Sequence, residues 1–200
     1  MTDTTDIPLF PLGTVLFRGG LLPLKIFEPR YLDMIGRCMR GGTGFGVVLI
    51  RRGSDARLSP DATQPDIFDV GTEANIIDFN QLEQGMLGIA ARGERKFRIH
   101  HSWEEPDHLL MGRVEFLPDE PQTQLTDDHE PLIDILKELV KHPLIQKLDL
   151  NIDFTDARVV SWRLAELLPI EPEIKQSLLQ LHLPRERLSE LTRLVGKLRG

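Results

Sequence analysis

The sequence predicts an α+β protein: a strand-rich first part holding one helix, followed by an all-helical remainder. Three observations carry this expectation. Short apolar runs with period-two alternation recur up to about Leu117, the pattern of a small barrel or sandwich. A stretch without periodicity then follows, with Pro118, Asp119, Glu120 and Pro121, and reads as a linker. From Asp127 onward leucines recur at three- and four-residue spacing, which buries one stripe of each helix. The expected organisation is residues 1–117 as the β-rich part, 118–126 as linker and 127–200 as the helical part.

The elements follow in order. Ile7-Pro8-Leu9-Phe10-Pro11-Leu12 reads as an opening strand, Gly19-Gly20 as a turn and Leu22 to Phe27 as a second strand. Glu28 is placed to cap a helix, Pro29 fits its first turn, and Tyr31, Leu32, Ile35 and Met39 line one face until Gly41-Gly42 stops it. Phe45 to Ile50 is a continuous, β-branched-rich run expected to be covered on both faces. Arg51 to Asp66, with Ser54, Pro60 and Pro65, reads as a polar loop. Around Ala74-Asn75-Ile76-Ile77 the apolar phase slips by one residue, as a β-bulge would cause. Leu87, Ile89 and Ala91, then Phe97 and Ile99, then Leu110, Gly112, Val114 and Phe116 mark further strands, with breaks expected at Gly71, Gly85 and Gly93.

Four helices are expected after the linker. Asp127 or Asp128 caps the first, bearing Leu132, Leu136, Leu139 and Val140 up to Pro143. Asp153 or Thr155 starts the second, with Val160, Leu164, Leu167 and Leu168. Pro172 opens the third, with Ile174, Leu178 and Leu181, and Pro184 the last, with Leu188, Leu191, Val195 and Leu198. Helices this short are marginal alone, so their apolar faces must be buried.

Composition excludes several classes. Two hundred residues at 40% hydrophobic and 28% charged make an ordinary globular chain. A net charge of −7 disfavours non-specific attraction to phosphate backbones and anionic lipid. A single cysteine, Cys38, leaves no intramolecular disulfide and no cysteine-based zinc cage, and its helical setting reads as a packed thiol. Met1 to Asp6 is polar and acidic, unlike a secretory signal, and no apolar run approaches the roughly 18 residues of a membrane span. The expected location is cytoplasmic.

No catalytic set emerges. Gly41-Gly42-Thr43-Gly44-Phe45-Gly46 follows a helix and enters a strand, the reverse of a phosphate-binding loop. His100 and His101 point to opposite faces of a strand, so they and His108 do not form a metal set, and no cofactor is expected. Asp127-Asp128-His129-Glu130 reads as a helix start. Ser54, Ser59, Ser102, Ser161, Ser177 and Ser189 lie in no nucleophile elbow. The basic residues Arg92, Arg95, Lys96 and Arg98, and those of the last helix, are interleaved with Glu94, Glu186 and Glu190 and read as solvated faces.

Leu22-Pro23-Leu24-Lys25-Ile26-Phe27-Glu28-Pro29-Arg30-Tyr31-Leu32, ten residues after the opening strand, resembles the start of the Lon protease amino-terminal, substrate-binding domain family. Phe45-Gly46-Val47-Val48-Leu49, Val70-Gly71-Thr72-Glu73-Ala74 and Gly93-Glu94-Arg95-Lys96-Phe97-Arg98-Ile99 resemble its next strands. Leu164 to Ile170 and Lys175 to Leu179 resemble its carboxy-terminal helices. Lys25 stands where the family often has histidine. The resemblance implies a β-barrel of the pseudouridine-synthase-and-archaeosine-transglycosylase-like type with one inserted helix, then a C-terminal helical bundle. A related domain occurs in cereblon, within a ubiquitin-ligase receptor.

The function expected is non-catalytic binding of unfolded or flexible polypeptide, as an adaptor or regulator in protein quality control, with a protease or chaperone among its candidate partners. Phe27, Glu28, Pro29, Arg30 and Tyr31 are expected to act mainly in the fold. Phe17, Leu21, Leu22, Met86, Trp103 and Trp162 are the candidate polypeptide contacts, through an apolar groove or an open strand edge. The rivals are an RNA-binding protein using the barrel face and a small-molecule enzyme with a dispersed site.

Overall fold

A computed structural model of the protein describes residues 3–55, 63–148 and 150–199. Ser59, Pro60 and the middle of the expected polar loop, together with the side chain of Leu198, lie outside the described residues. The chain forms two compact units, Met1–Pro118 and Asp119–Gly200.

The first unit runs β1 (Thr4–Leu12), β2 (Leu21–Ile26), α1 (Pro29–Gly41), β3 (Phe45–Arg52), β4 (Asp66–Ile67), β5 (Val70–Gln81), β6 (Leu87–Glu104) and β7 (Leu110–Phe116), and its seven strands build one mixed sheet. Its path runs β1-β7-β6-β5-β3-β4, and β1 also pairs in parallel with β3, so five strands close into a hydrogen-bonded ring. Alternation along β1 and β3 explains the two apolar layers. Leu9 and Val48 face one cluster with Phe97, Leu110 and Val114. Their chain neighbours Phe10 and Val47 face another with Tyr31, Met34, Ile35 and Cys38 of α1.

Glycine makes the first layer possible. A Cβ at Gly71 would stand 2.6 Å from the Phe97 ring and 2.5 Å from the Val47 carbonyl, so Gly71 lies inside β5 rather than ending a strand. The expected break at Gly93 is also absent, because β6 runs unbroken from Leu87 to Glu104. There the Gly19-Gly20 turn folds onto the strand: Gly19 N–H donates to Gly93 O at 2.7 Å and Gly93 N–H to Gly20 O at 3.0 Å. The register of β5 against β6 shifts between Thr72 and Ala74 and between Ile76 and Asp78, which accounts for the phase slip in the sequence.

The buried face of α1 is rotated from the expected one. Met34, Ile35 and Cys38 are buried with Tyr31, whereas Met39 is exposed. Gly42 ends the helix at φ 62°, its N–H donating to Cys38 O. Glu28 makes no side-chain cap and pairs instead with Arg30.

The second unit holds α2 (Glu130–Val140), α3 (Pro143–Gln146), α4 (Ala157–Leu167), α5 (Pro172–Gln180) and α6 (Pro184–Arg199), and no strand among its described residues. Its helix starts use other caps than expected. Thr126 and His129 form a reciprocal capping box in place of Asp127 or Asp128. Asp156 accepts from Arg158 N–H, while Asp153 braces Thr155 just before it. α4 packs against α2, α5 and α6, through Val160, Leu164, Leu178, Leu188 and Leu191, all buried.

The stretch expected as a linker is partly structural. Glu120 is buried against the fully buried Arg187, with Nη2 to Oε1 at 2.5 Å and Nη1 to Oε2 at 2.9 Å. Arg187 also donates to Ser161 Oγ and to the carbonyls of Leu178 and Leu181.

Two stability outcomes follow from this packing. A Cβ at Gly93 would lie 2.2 Å from the Phe17 carbonyl oxygen, whereas Gly13 has nothing within 4 Å. In urea unfolding, Gly93→Ala should cost about 3 kcal/mol, and Gly13→Ala should stay within about 0.5 kcal/mol of the parent. Arg187→Met should lower stability by about 3–5 kcal/mol, because Glu120 is left buried without its counter-charge. Calorimetry of the second unit's transition checks this, and an unchanged transition would show that the pair is dispensable.

Candidate functional site

The motif residues converge on the start of α1. Arg30 is 8% exposed; its Nε donates to Glu28 Oε2 at 2.9 Å, its guanidinium lies 4.5 Å from the Tyr31 ring centroid, and its Nη1 donates to His108 O at 3.0 Å. Tyr31 stacks on Phe10 with ring centroids 4.0 Å apart. Arg30 thereby ties α1 to the loop between β6 and β7. That loop is held further by Gln64 Nε2 donating to His108 O, by Glu105 N–H donating to Leu109 O, and by Leu109 N–H donating to Asp107 Oδ1. His108 sits at φ 67°, a left-handed conformation that a side chain with a Cβ adopts only when its surroundings impose it. Phe27 differs from the rest of the motif: it is 61% exposed.

Two clefts flank α1. One, of about 590 Å³, has Met34, Cys38, Leu109 and Met111 in its wall and Arg37, Glu105 and Asp107 at its edge. Cys38 is buried, its thiol donates to Gly44 O at 3.4 Å, and burial pushes its pKa up, which removes thiolate and with it nucleophilicity. The other cleft, of about 360 Å³, lies beside Phe27 and is walled by Phe10, Leu24, Ile26 and Tyr31.

The third feature is an open strand edge. β3 pairs with β5 only over Thr72 to Ala74, so Asn75–Gln81 has β6 as its single strand neighbour among the described residues. Phe79 lies opposite Ile89, which lies opposite Leu24 of β2, so these three side chains form one apolar row ending at the open edge. Ile77 and Phe79 stand 46% and 55% exposed there. Sequence reading missed both; the phase slip at Ile76-Ile77 was the signal, since a bulge leaves one apolar residue without an inward position.

The candidate contacts fall on several elements. Phe17 is fully buried, because the Gly19-Gly20 turn is hydrogen-bonded to β6, and it is core rather than a contact surface. Leu21 and Leu22 are half-buried on β2, and Leu22 packs on the core. Met86 is half-buried beside the turn joining β5 to β6. Trp103 is half-buried, donates Nε1–H to Glu105 Oε1 at 2.8 Å and stacks on His101. Trp162 is half-buried on α4 of the second unit.

Several charged residues form ion pairs. Arg95 binds Glu73 and covers the Phe116 ring at 3.7 Å, and Arg113 binds Asp6, holding that carboxyl below its ordinary range. His100 pairs with Glu115 and His108 with Glu104. Among the described residues no group of three or more metal-ligating side chains occurs, and no helix is long and apolar enough to cross a membrane.

A mixed sheet ring with a motif-anchored helix is followed in the chain by a helical unit, and the chain belongs to the ATP-dependent protease La (LON) substrate-binding domain family, whose model matches residues 6–197. A Lon N-terminal domain protein from Xanthomonas campestris shares the fold at TM-score 0.75 and 34% identity, over 94% of this chain and 98% of that one. The N-terminal domain of Mycobacterium avium complex Lon protease superposes at TM-score 0.60 with 18% identity, covering 94% of this chain and 96% of that one. Lon protease of Cytophaga hutchinsonii is 25% identical over 200 residues, which are 96% of this chain and 24% of that protein. The chain thus spans about a quarter of that relative's length.

Burial, opposed by Arg30 and reinforced by Glu28 and Asp55, pushes the phenol of Tyr31 up to about 12. Tyr31 is the only tyrosine, so ultraviolet titration reads it alone. A single transition near 12 is expected, well above the ordinary phenol near 10. The folded pKa being the higher one, stability should hold below pH 10 and fall as pH rises toward 12. A transition at 10 would place the ring in solvent.

Proposed function

We propose that the protein is a non-catalytic polypeptide-binding module, an adaptor or regulator of proteolysis in the cytoplasm, and that its strand ring is a barrel of the pseudouridine-synthase-and-archaeosine-transglycosylase-like type followed by a helical bundle. The observation that carries this reading is the open edge at Asn75–Gln81 with Ile77 and Phe79 exposed beside it. An unfolded segment can add to that edge as a further strand, its main chain bonding along Asn75–Gln81 in competition with Asp78, whose Oδ1 accepts from Phe79 N–H at 2.9 Å, and its apolar side chains resting on Phe79. Asp78 on the same stretch discourages a second folded copy from pairing there, as charges on strand edges do. Membership of the substrate-binding family supports a polypeptide as the ligand.

Ordering an extended segment costs about 1–2 kcal/mol per residue of backbone, so micromolar or weaker affinity is expected from one such edge. The RNA reading loses support from the pairing of Arg95 with Glu73 and of Arg113 with Asp6. Titration with a labelled unfolded polypeptide and a labelled RNA at two salt concentrations separates them. Polypeptide affinity should change little with salt, whereas RNA binding would weaken steeply. Ile77→Asp with Phe79→Asp should weaken polypeptide binding at least tenfold without lowering thermal stability. Salt-sensitive binding of RNA alone would defeat the proposal.

A further inference from the structure

We infer that the cleft between α1 and the β6–β7 loop receives the first residue of a polypeptide: a large apolar side chain together with its free α-ammonium group. This rests on the polypeptide reading above and adds to the strand edge a second contact that recognises a chain end. At about 590 Å³ the cleft lies within the range of built ligand sites, and Pro8, Pro106 and the half-buried Met111, backed by the buried Met34, Cys38 and Leu109, give it an apolar wall for an unbranched or aromatic side chain.

The edge of the cleft selects the charge. Glu105 and Asp107 face a single cation, Arg37, so these three groups sum to a net negative charge. Glu105 Oε1 accepts from Trp103 Nε1, and Asp107 Oδ1 accepts from Leu109 N–H. Asp107 Oδ2 is ion-paired with Arg37 Nη1 at 3.8 Å. Glu105 Oε2 is therefore the oxygen that complements an incoming ammonium, with the Asp107–Arg37 pair beside it. An amino-terminal residue carries its ammonium one carbon from its own side chain, so a single residue satisfies both the charge and the apolar wall. A lysine elsewhere in the segment would have to be ordered separately, at the cost of its rotamer freedom. The carboxylates are also fixed before any ligand arrives. Arg30 and Gln64 both donate to His108 O, and Glu105 N–H closes the loop onto Leu109 O, so little ordering remains to be done on binding.

The test is fluorescence anisotropy with short labelled peptides: one beginning with leucine and a free amine, its Nα-acetylated form, one beginning with aspartate, and one blocked at its amino end with a free leucine at its carboxyl end. The free-amine leucine peptide should bind at least tenfold more tightly than the other three. Glu105→Gln with Asp107→Asn should abolish that preference; the amides retain oxygen acceptors for Trp103 and Leu109, so the loop keeps its shape. Phe79→Asp should leave the preference intact. Equal binding of the acetylated peptide, or tighter binding of the carboxyl-end leucine at Arg37, would overturn the inference. Titration of the unfolded polypeptide on the same samples separates the two claims. If it still binds, only the chain-end site fails; if it does not, the polypeptide reading fails as well.

Discussion

The buried guanidinium of Arg30 is the constraint on which the organisation of the first unit turns. A charge this far from water is tolerable only when its donors are matched. Arg30 matches them with the Glu28 carboxylate, the face of Tyr31 and the carbonyl of His108, which stands seventy-eight positions away in sequence. The same side chain thus sets the start of α1, the orientation of the stacked Phe10–Tyr31 pair and the shape of the β6–β7 loop. Glu28 serves this ion pair instead of the helix amides, which explains why a residue in a capping position makes no cap. Both clefts beside α1 inherit their walls from this arrangement.

Arg187 plays the corresponding part in the second unit. Its guanidinium gathers Glu120 from the unit's first residues, Ser161 from α4, the Leu178 carbonyl in the last turn of α5 and the Leu181 carbonyl just after it. Helices of nine to sixteen residues gain little from propensity alone, so their register depends on leucine packing and on such a shared polar centre. Replacing the pair by apolar residues of equal volume need not destabilise. What Arg187 contributes is a geometry that only one arrangement of α4, α5 and α6 satisfies.

The surface of the first unit leaves apolar groups exposed beside main-chain groups. Ile77 and Phe79 stand beside a length of β5 that has one strand neighbour among the described residues, and Phe27 stands beside a cleft. Arg95 and Arg113 are held by Glu73 and Asp6. Main-chain groups and apolar side chains presented together are the physical basis for proposing a polypeptide ligand.

The sequence by itself determined the strand-rich start with one helix and the helical remainder, the positions of the turn residues at Gly42 and Gly85, the bulge near Ile76 and the family, because local periodicity, backbone freedom and motif order are properties of neighbouring residues; the short α3 at Pro143 was not foreseen. It also marked Phe45 to Ile50 as covered on both faces, which holds as far as Leu49, Ile50 being half-buried. Tertiary structure decided the rest. Gly71 and Gly93 read as breaks, yet they are places where a ring or a turn of the chain presses on a continuous strand, and such approach is set by residues far away in sequence. Phe17 read as a surface group for the same reason: nothing near it reveals that Gly19 and Gly20 bond to Gly93. Phe79, in turn, is open only because β3 leaves β5 after Ala74. Exposure is a property of what the fold fails to cover, and no local pattern carries that information.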